Sequence, residues 1–172
     1  MPKEIERKFL VNDGIQDVLK GREGVSIRQG YLPSGPGLVV RVRIKGEVAY
    51  LTLKGGQTGI SRDEYEYKIP VTHAEELPTR YAQHSLTKTR YEVLFEGYRW
   101  EVDVFHDKLE GIIVAELELD TEDQAFVLPP WAGRDVSDLP QFSNAALASY
   151  VPFNGAPPTI EDLLLGEQGA GG

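Results

Sequence analysis

The sequence predicts an α+β fold, mainly antiparallel β, with a few helices attached. Three observations predict it. Eight stretches rich in β-branched and aromatic residues supply at least seven strands, charged and apolar side chains alternate within them with a period of two, and turn signals are spread along the chain rather than gathered into one linker. With 172 residues, 41% of them hydrophobic and 26% charged, the chain suits a single domain with a real core. We expect that domain over residues 1–154, followed by a partly ordered tail, 155–172.

The first strand is "EIERKFLV", which sets Glu4, Glu6 and Lys8 on one face and Ile5, Arg7, Phe9 and Val11 on the other. "DGIQDVLK" then reads as a helix, "VSIRQGYL" as a strand and "PSGPG" at 33–37 as a loop. "LVVRVRI" opposes Arg41 and Arg43 to Val40, Val42 and Ile44, and "AYLTLK" opposes Thr52 and Lys54 to Leu51 and Leu53. "KGGQTG" at 54–59 is expected to be a hairpin connection. "RDEYEYKIPV" sets Arg62, Glu64, Glu66 and Lys68 against Tyr65, Tyr67 and Ile69 before a helix at "THAEEL". "TKTRYEVLF" opposes Lys88 and Arg90 to Tyr91 and Val93, and "YRWEVDVF" opposes Glu101 and Asp103 to Trp100, Val102 and Val104. The last predicted strand, "GIIVAELEL", carries Glu116 and Glu118 against Ala115, Leu117 and Leu119. "NAALASY" has helical spacing, "TIEDLLLG" reads as a small docked helix, and a frayed Gly-rich stub follows.

Composition removes several chemistries. There is no cysteine, hence no disulfide, thiolate metal site or cysteine nucleophile. A net charge of −9 argues against broad nucleic-acid binding, which needs a basic excess. Apolar runs such as "GIIVA" are too short to span a membrane, and the charged start is no secretory signal, so for a bacterial source the expected location is the cytoplasm. His73, His84 and His106 have no paired metal spacing, Ser26, Ser61 and Ser85 lack a Gly-x-Ser-x-Gly context, and the glycines of "KGGQTG" make no P-loop.

The charged faces do more than keep an antiparallel sheet wet. Their signs are segregated by strand: Arg41 with Arg43 and Lys88 with Arg90 form cationic rows, while Glu4 with Glu6, Glu64 with Glu66 and Glu116 with Glu118 form anionic ones. Like charges two residues apart repel unless something neutralises them. A hard divalent cation, Mg²⁺ or Mn²⁺, suits the carboxylates, and phosphate oxygens suit the Arg and Lys rows. About eight strands can close into a barrel with these faces inside and the apolar faces packed against helices outside.

The Glu-x-Glu-x-Lys opening at Glu4, Glu6 and Lys8, followed in order by "RVR", "LTLK", "RDEYE", "KTR", "WEVDVF" and "AELEL", resembles the CYTH superfamily, the triphosphate tunnel metalloenzymes. The likeness runs from residue 3 to about 150. It implies an eight-stranded closed β-barrel, the triphosphate tunnel, with Glu4, Glu6, Asp103, Glu116 and Glu118 binding or supporting metal. It further implies that Lys8, Arg41, Arg43, Lys54, Arg62, Lys88 and Arg90 bind phosphate, with Glu64 and Glu66 as supporting tunnel residues. "RQGYL" and the "WAGRDVS…FSNAALA" segment are similar to the short bacterial inorganic triphosphatases, which implies that Tyr31 paired with Lys54 activates the attacking water. The chain departs from that pattern at "RDVSDLPQF", 134–142, where Pro140 interrupts the expected continuous turn into the last helix.

The expected function is metal-dependent hydrolysis of tripolyphosphate, or another triphosphate compound, to pyrophosphate and phosphate. No nucleic-acid or membrane partner is expected, and a homodimer is left open. The alternatives are an adenylate cyclase of the same superfamily, a thiamine triphosphatase differing only in leaving group, and a polyphosphate- or nucleotide-binding module without turnover. The complete carboxylate set disfavours the last, because sequestering an anion needs the cations far more than the acids.

Overall fold

The computed structural model describes residues 2–169. Among these, eight antiparallel strands close into a barrel: β1 (Lys3–Val11), β2 (Val25–Leu32), β3 (Leu38–Lys45), β4 (Val48–Thr58), β5 (Ser61–Ile69), β6 (His84–Phe95), β7 (Tyr98–Phe105) and β8 (Ile113–Glu118). Their spatial order is β5-β4-β3-β2-β6-β7-β8-β1, and β1 pairs back onto β5 through Lys3↔Asp63, Glu4↔Arg62 and Ile5↔Ser61. Closure removes the open edges of the sheet. The far half of β1 takes a further short strand, β9 (Ala132–Asp135), through Phe9↔Asp135 and Val11↔Ala132. Sequence patterning missed β9 because "AGRD" has neither alternation nor β-branched residues; its pairing partner supplies the strand.

The pleat sorts the alternating side chains as their pattern requires. Directly paired residues share a face, and Lys8↔Glu116, Arg90↔Asp103, Tyr31↔Arg41 and Lys54↔Glu64 all turn inward. The outward faces build two apolar clusters. Phe9, Val93, Trp100, Val102, Ala115 and Leu117 pack under α1 (Ile15–Leu19) and Trp131, with Trp100 edge-on to Phe9 and Trp131 at 5.5 Å each. Val42, Ile44 and Ala49 lie under Ala74 of α2 (Val71–Tyr81). That helix approaches the wall so closely at Gly30 that a Cβ there would sit 2.9 Å from Pro78.

A third cluster closes one end of the barrel. Leu10, Tyr31, Leu86, Phe105 and Val114 lie two residues along from the inward polar side chains Lys8, Gln29, Lys88, Asp103 and Glu116, and meet Val136, Phe142, Leu147 and Ala148 of the C-terminal segment. That segment is a 3-10 turn (Pro140–Phe142) and α3 (Asn144–Ser149), capped by Ser143 Oγ accepting from the Ala146 amide at 3.1 Å. Pro140 opens the 3-10 turn, where its missing N–H costs nothing, so the departure noted at 134–142 is accommodated rather than disruptive. The last helix, α4 (Ile160–Gly169), buries Leu163 in the same cluster, with Ile160 and Leu164 beside it.

One expectation is corrected. "KGGQTG" is mostly strand, because β4 runs on to Thr58 through a register shift between Gly55 and Thr58, leaving the connection to β5 at residues 59–60. The helices pack outside the barrel as expected, α1 and α2 against the wall and α3 and α4 over an end. The expected Gly-rich stub at 170–172 lies outside the described residues. Among the described residues no helix is long and apolar enough to cross a membrane.

Candidate functional site

Inside the barrel lie two cavities whose walls share Glu6, Arg41, Lys54 and Asn144. One, of about 210 Å³, reaches toward the plugged end, with Lys8, Tyr31 and Arg62 in its wall. The other, of about 130 Å³, reaches toward the opposite mouth and is lined by Glu4, Arg43, Glu64, Glu66, Arg90, Glu101, Glu116 and Glu118. The tunnel is therefore cationic toward the plug and acidic toward the far mouth. Of the residues proposed from the sequence, only Lys88 and Asp103 line neither cavity; they lie behind the lining and are 1% and 0% exposed.

These two anchor the cationic wall. Arg90 forks onto Asp103 through Nε at 2.8 Å and Nη2 at 2.9 Å, while Lys88 Nζ donates to Asp103 Oδ2 at 2.6 Å. Burial works to raise the Asp103 carboxyl, but Lys88 and Arg90 override it and hold it below its ordinary value. Both oxygens of Asp103 are thus engaged by cations, which suits a supporting residue better than a metal ligand. Arg90 also meets Glu101 at 2.9 Å and Glu116 at 3.5 Å.

Lys54 reaches from β4 over β5 to Glu4, donating at 2.8 Å, and meets Glu64 at 3.2 Å. It therefore lies between two carboxylates. Burial pushes Glu4 up, yet Lys54 and Arg62 hold it below its ordinary value. Lys8 sits 3.6 Å from Glu116 and donates to the Phe142 carbonyl at 3.1 Å. Against burial, Lys8, Arg90 and Lys88 keep Glu116 well below the usual carboxylate range.

Glu6 and Glu118 behave differently. They are directly paired across β1 and β8, and among the described residues neither side chain makes an ion pair or hydrogen bond. Burial, then Glu116 and Glu4, push the Glu6 carboxyl up to about 8, and partial burial with Glu4, Glu64 and Glu101 raises Glu118. Two uncompensated carboxylates side by side are the donor set a hard divalent cation satisfies. No three His, Asp or Glu residues form a ready-made ligand shell among the described residues. The fit is therefore to an ion sharing one or two carboxylates with substrate oxygens and water, the usual manner of Mg²⁺.

Neutral groups hold the remaining cations. Arg43 Nε donates to Gln29 Oε1 at 3.1 Å, and Gln29 Nε2 donates to the Tyr31 hydroxyl at 2.7 Å. Burial, with Arg41 and Arg90 nearby, lowers Arg43 to about 10. Arg41 donates to Thr52 Oγ1 at 3.3 Å and lies 3.6 Å from Glu66, while its buried Nε has no partner among the described residues. Tyr31 and Lys54 line the same cavity, the hydroxyl bound to Gln29 and the ammonium to Glu4. Sequence reasoning did not single out Glu101, Gln29, Thr52 or Asn144 as site residues. The first three sit on inward rows that the period of two could have found; Asn144 comes from a helix start and gave no strand signal.

Known proteins share this architecture. The chain is 44% identical over 149 residues to an inorganic triphosphatase of Acetivibrio thermocellus, covering 86% of this chain and 94% of that protein. It is 39% identical over 153 residues to an inorganic triphosphatase of Nitrosomonas europaea, covering 87% and 99%. A solved inorganic triphosphatase structure superposes with a TM-score of 0.63 at 38% identity, covering 89% of this chain and 99% of that one. A putative adenylate cyclase of Bacillus halodurans shares the fold alone, with a TM-score of 0.56 at 19% identity over 72% of this chain and 84% of that one. With its tunnel and with residues 2–148 matching the family's domain, the chain belongs to the CYTH domain family.

Proposed function

We propose that this chain hydrolyses inorganic tripolyphosphate to pyrophosphate and phosphate inside its barrel, using a divalent cation and an activated water. The observation that carries the reading is the joint lining of adjoining cavities by uncompensated carboxylates, Glu6 and Glu118, and by Lys8, Arg41, Arg43, Lys54, Arg62 and Arg90. The inorganic triphosphatase relatives support it, and family membership implies a divalent-metal requirement. We assign the activity to residues 1–154, with α4 of the following tail backing the plug through Leu163.

In this reading the cations hold the phosphoryl oxygens, with Arg forks fixing orientation and Lys ammoniums supplying point charge. Lys88 stays behind the lining and fixes Asp103, so the Arg90 fork keeps its aim. Glu6, Glu118, Glu4 and Glu116 are the groups to hold Mg²⁺ or Mn²⁺, with Asp103, Glu64 and Glu66 supporting them. Bound there, the ion supplies neutralisation of charge on the phosphoryl oxygens. Water attacks a terminal phosphorus, with Lys54 as the base that takes its proton and Tyr31 orienting the water. The bond to the bridging oxygen breaks, and pyrophosphate leaves among the cations that stabilised its growing charge.

The test is phosphate release by the purified protein from tripolyphosphate, with ATP in parallel assayed for phosphate and cyclic AMP, each with and without Mg²⁺. Metal-dependent release from tripolyphosphate with little from ATP supports the proposal. Cyclic AMP moves the function to the cyclase, and tight tripolyphosphate binding without release moves it to a binding module.

A further inference from the structure

Asn144 is the one described side chain from outside the barrel strands that enters the walls of both cavities. It is the first residue of α3, held in place by the Ser143 cap, by the Lys8 bond to the Phe142 carbonyl, and by burial of Leu147 and Ala148. Its Oδ1 accepts from Lys88 Nζ at 2.9 Å, and its Nδ2 donates toward Glu116 Oε1 at 3.5 Å. The chemistry of the partners fixes this orientation of the amide, because an ammonium only donates and a carboxylate only accepts. A carboxylate in its place would repel Glu116, and an ammonium would repel Lys88.

Glu116 depends on such help. Its other restraints are ion pairs of 3.6 Å to Lys8 and 3.5 Å to Arg90, so no short bond fixes it. Lys88, 1% exposed, has Asp103 and Asn144 as its hydrogen-bond partners and cannot turn to water if one is lost. We propose that Asn144 is a positioning residue: by bridging Lys88 to Glu116 it couples the seating of the C-terminal plug to the aim of a metal-binding carboxylate. This rests on the triphosphatase reading of the tunnel. It makes the plug part of the site, since α3 supplies the neutral group between the cationic wall and the acidic one.

The test uses Asn144→Leu, close in size but without hydrogen bonds, with Ser149→Ala on the exposed side of α3 as control. Mn²⁺ binding to the full-length protein is followed by loss of the free Mn²⁺ signal in electron paramagnetic resonance. Alongside it are measured kcat, KM for tripolyphosphate, half-saturating Mn²⁺ and the thermal midpoint. Removing a group that orients a metal ligand predicts Mn²⁺ binding weakened about 10-fold or more and a matching rise in half-saturating Mn²⁺. KM should stay within about 2-fold and kcat should fall. Mn²⁺ binding within about 2-fold of the parent overturns the proposal, even with a lowered midpoint, because a purely structural role moves the midpoint alone. If Asn144→Leu does not fold, Asn144→Ser is read by the same criteria. A parent that binds Mn²⁺ but releases no phosphate defeats the triphosphatase reading and leaves the binding comparison to decide on Asn144; a parent that binds no Mn²⁺ overturns the coupling itself.

Discussion

Lys54 of β4 and Glu4 of β1 meet at 2.8 Å across the intervening strand β5, joining the proposed base to a proposed metal carboxylate. Groups in direct contact should not act independently. Lys54→Ala and Glu4→Gln should each lower kcat by about 100-fold or more, and the double variant should be little worse than the poorer single one. Losses that multiply in kcat would separate the two roles and remove the coupling.

The assignment of Asp103 as a support for cations, rather than a ligand, predicts a stability phenotype. Asp103→Asn leaves the buried Lys88 without its counter-charge and Arg90 without one of its three carboxylate partners, which should cost about 3–5 kcal/mol in urea unfolding. The half-saturating Mg²⁺ of the folded fraction should change little. A large rise in metal requirement with unchanged stability would return Asp103 to the ligands.

Glu6 predicts a pH dependence. Its carboxyl is raised from 4.5 to about 8, so between these values the folded chain holds a proton that the unfolded chain has released. Stability contributed by that proton falls as pH rises through this window, because the folded state then binds more protons than the unfolded one. In chelator, the parent should lose thermal stability relative to Glu6→Gln from pH 5 to about pH 8 and then level off. Activity should rise over the alkaline side of the same range, as Glu6 becomes free to bind metal. A midpoint difference that is constant with pH would place Glu6 in a different electrostatic environment.

The barrel was legible because its information is carried by a period of two. Each strand declares its inward row, and segregated signs on those rows announced a ligand inside. What was not legible came from contacts between distant segments. β9 exists because the far half of β1 extends beyond its pairing with β5, not because "AGRD" prefers a strand. Lys54 lies among carboxylates because Glu4 reaches it across β5, a neighbour known only once β1 closes onto β5. Asp103 looked like the other inward acids until its register against Arg90 and its contact with Lys88 showed both oxygens engaged. Asn144 enters the site from a helix start, where the alternation rule has no reach.

The C-terminal helix gives the last prediction. α4 buries Leu163 against the cluster of Phe142 and Leu147, but none of its described residues lines either cavity. It therefore backs the plug, while the residues that narrow the tunnel belong to the segment 136–145. Leu163→Ala should lower stability by about 2–3 kcal/mol through the lost burial and the void it leaves. Its kcat and metal requirement at low temperature, where the plug stays seated, should match the parent, in contrast to Asn144→Leu. A loss of kcat as deep as that of Lys54→Ala, in protein shown by circular dichroism to be folded, would mean that α4 itself governs the tunnel. Deleting residues 156–172 extends the comparison: the thermal midpoint should fall further than in Leu163→Ala, while tripolyphosphate KM at low temperature stays unchanged.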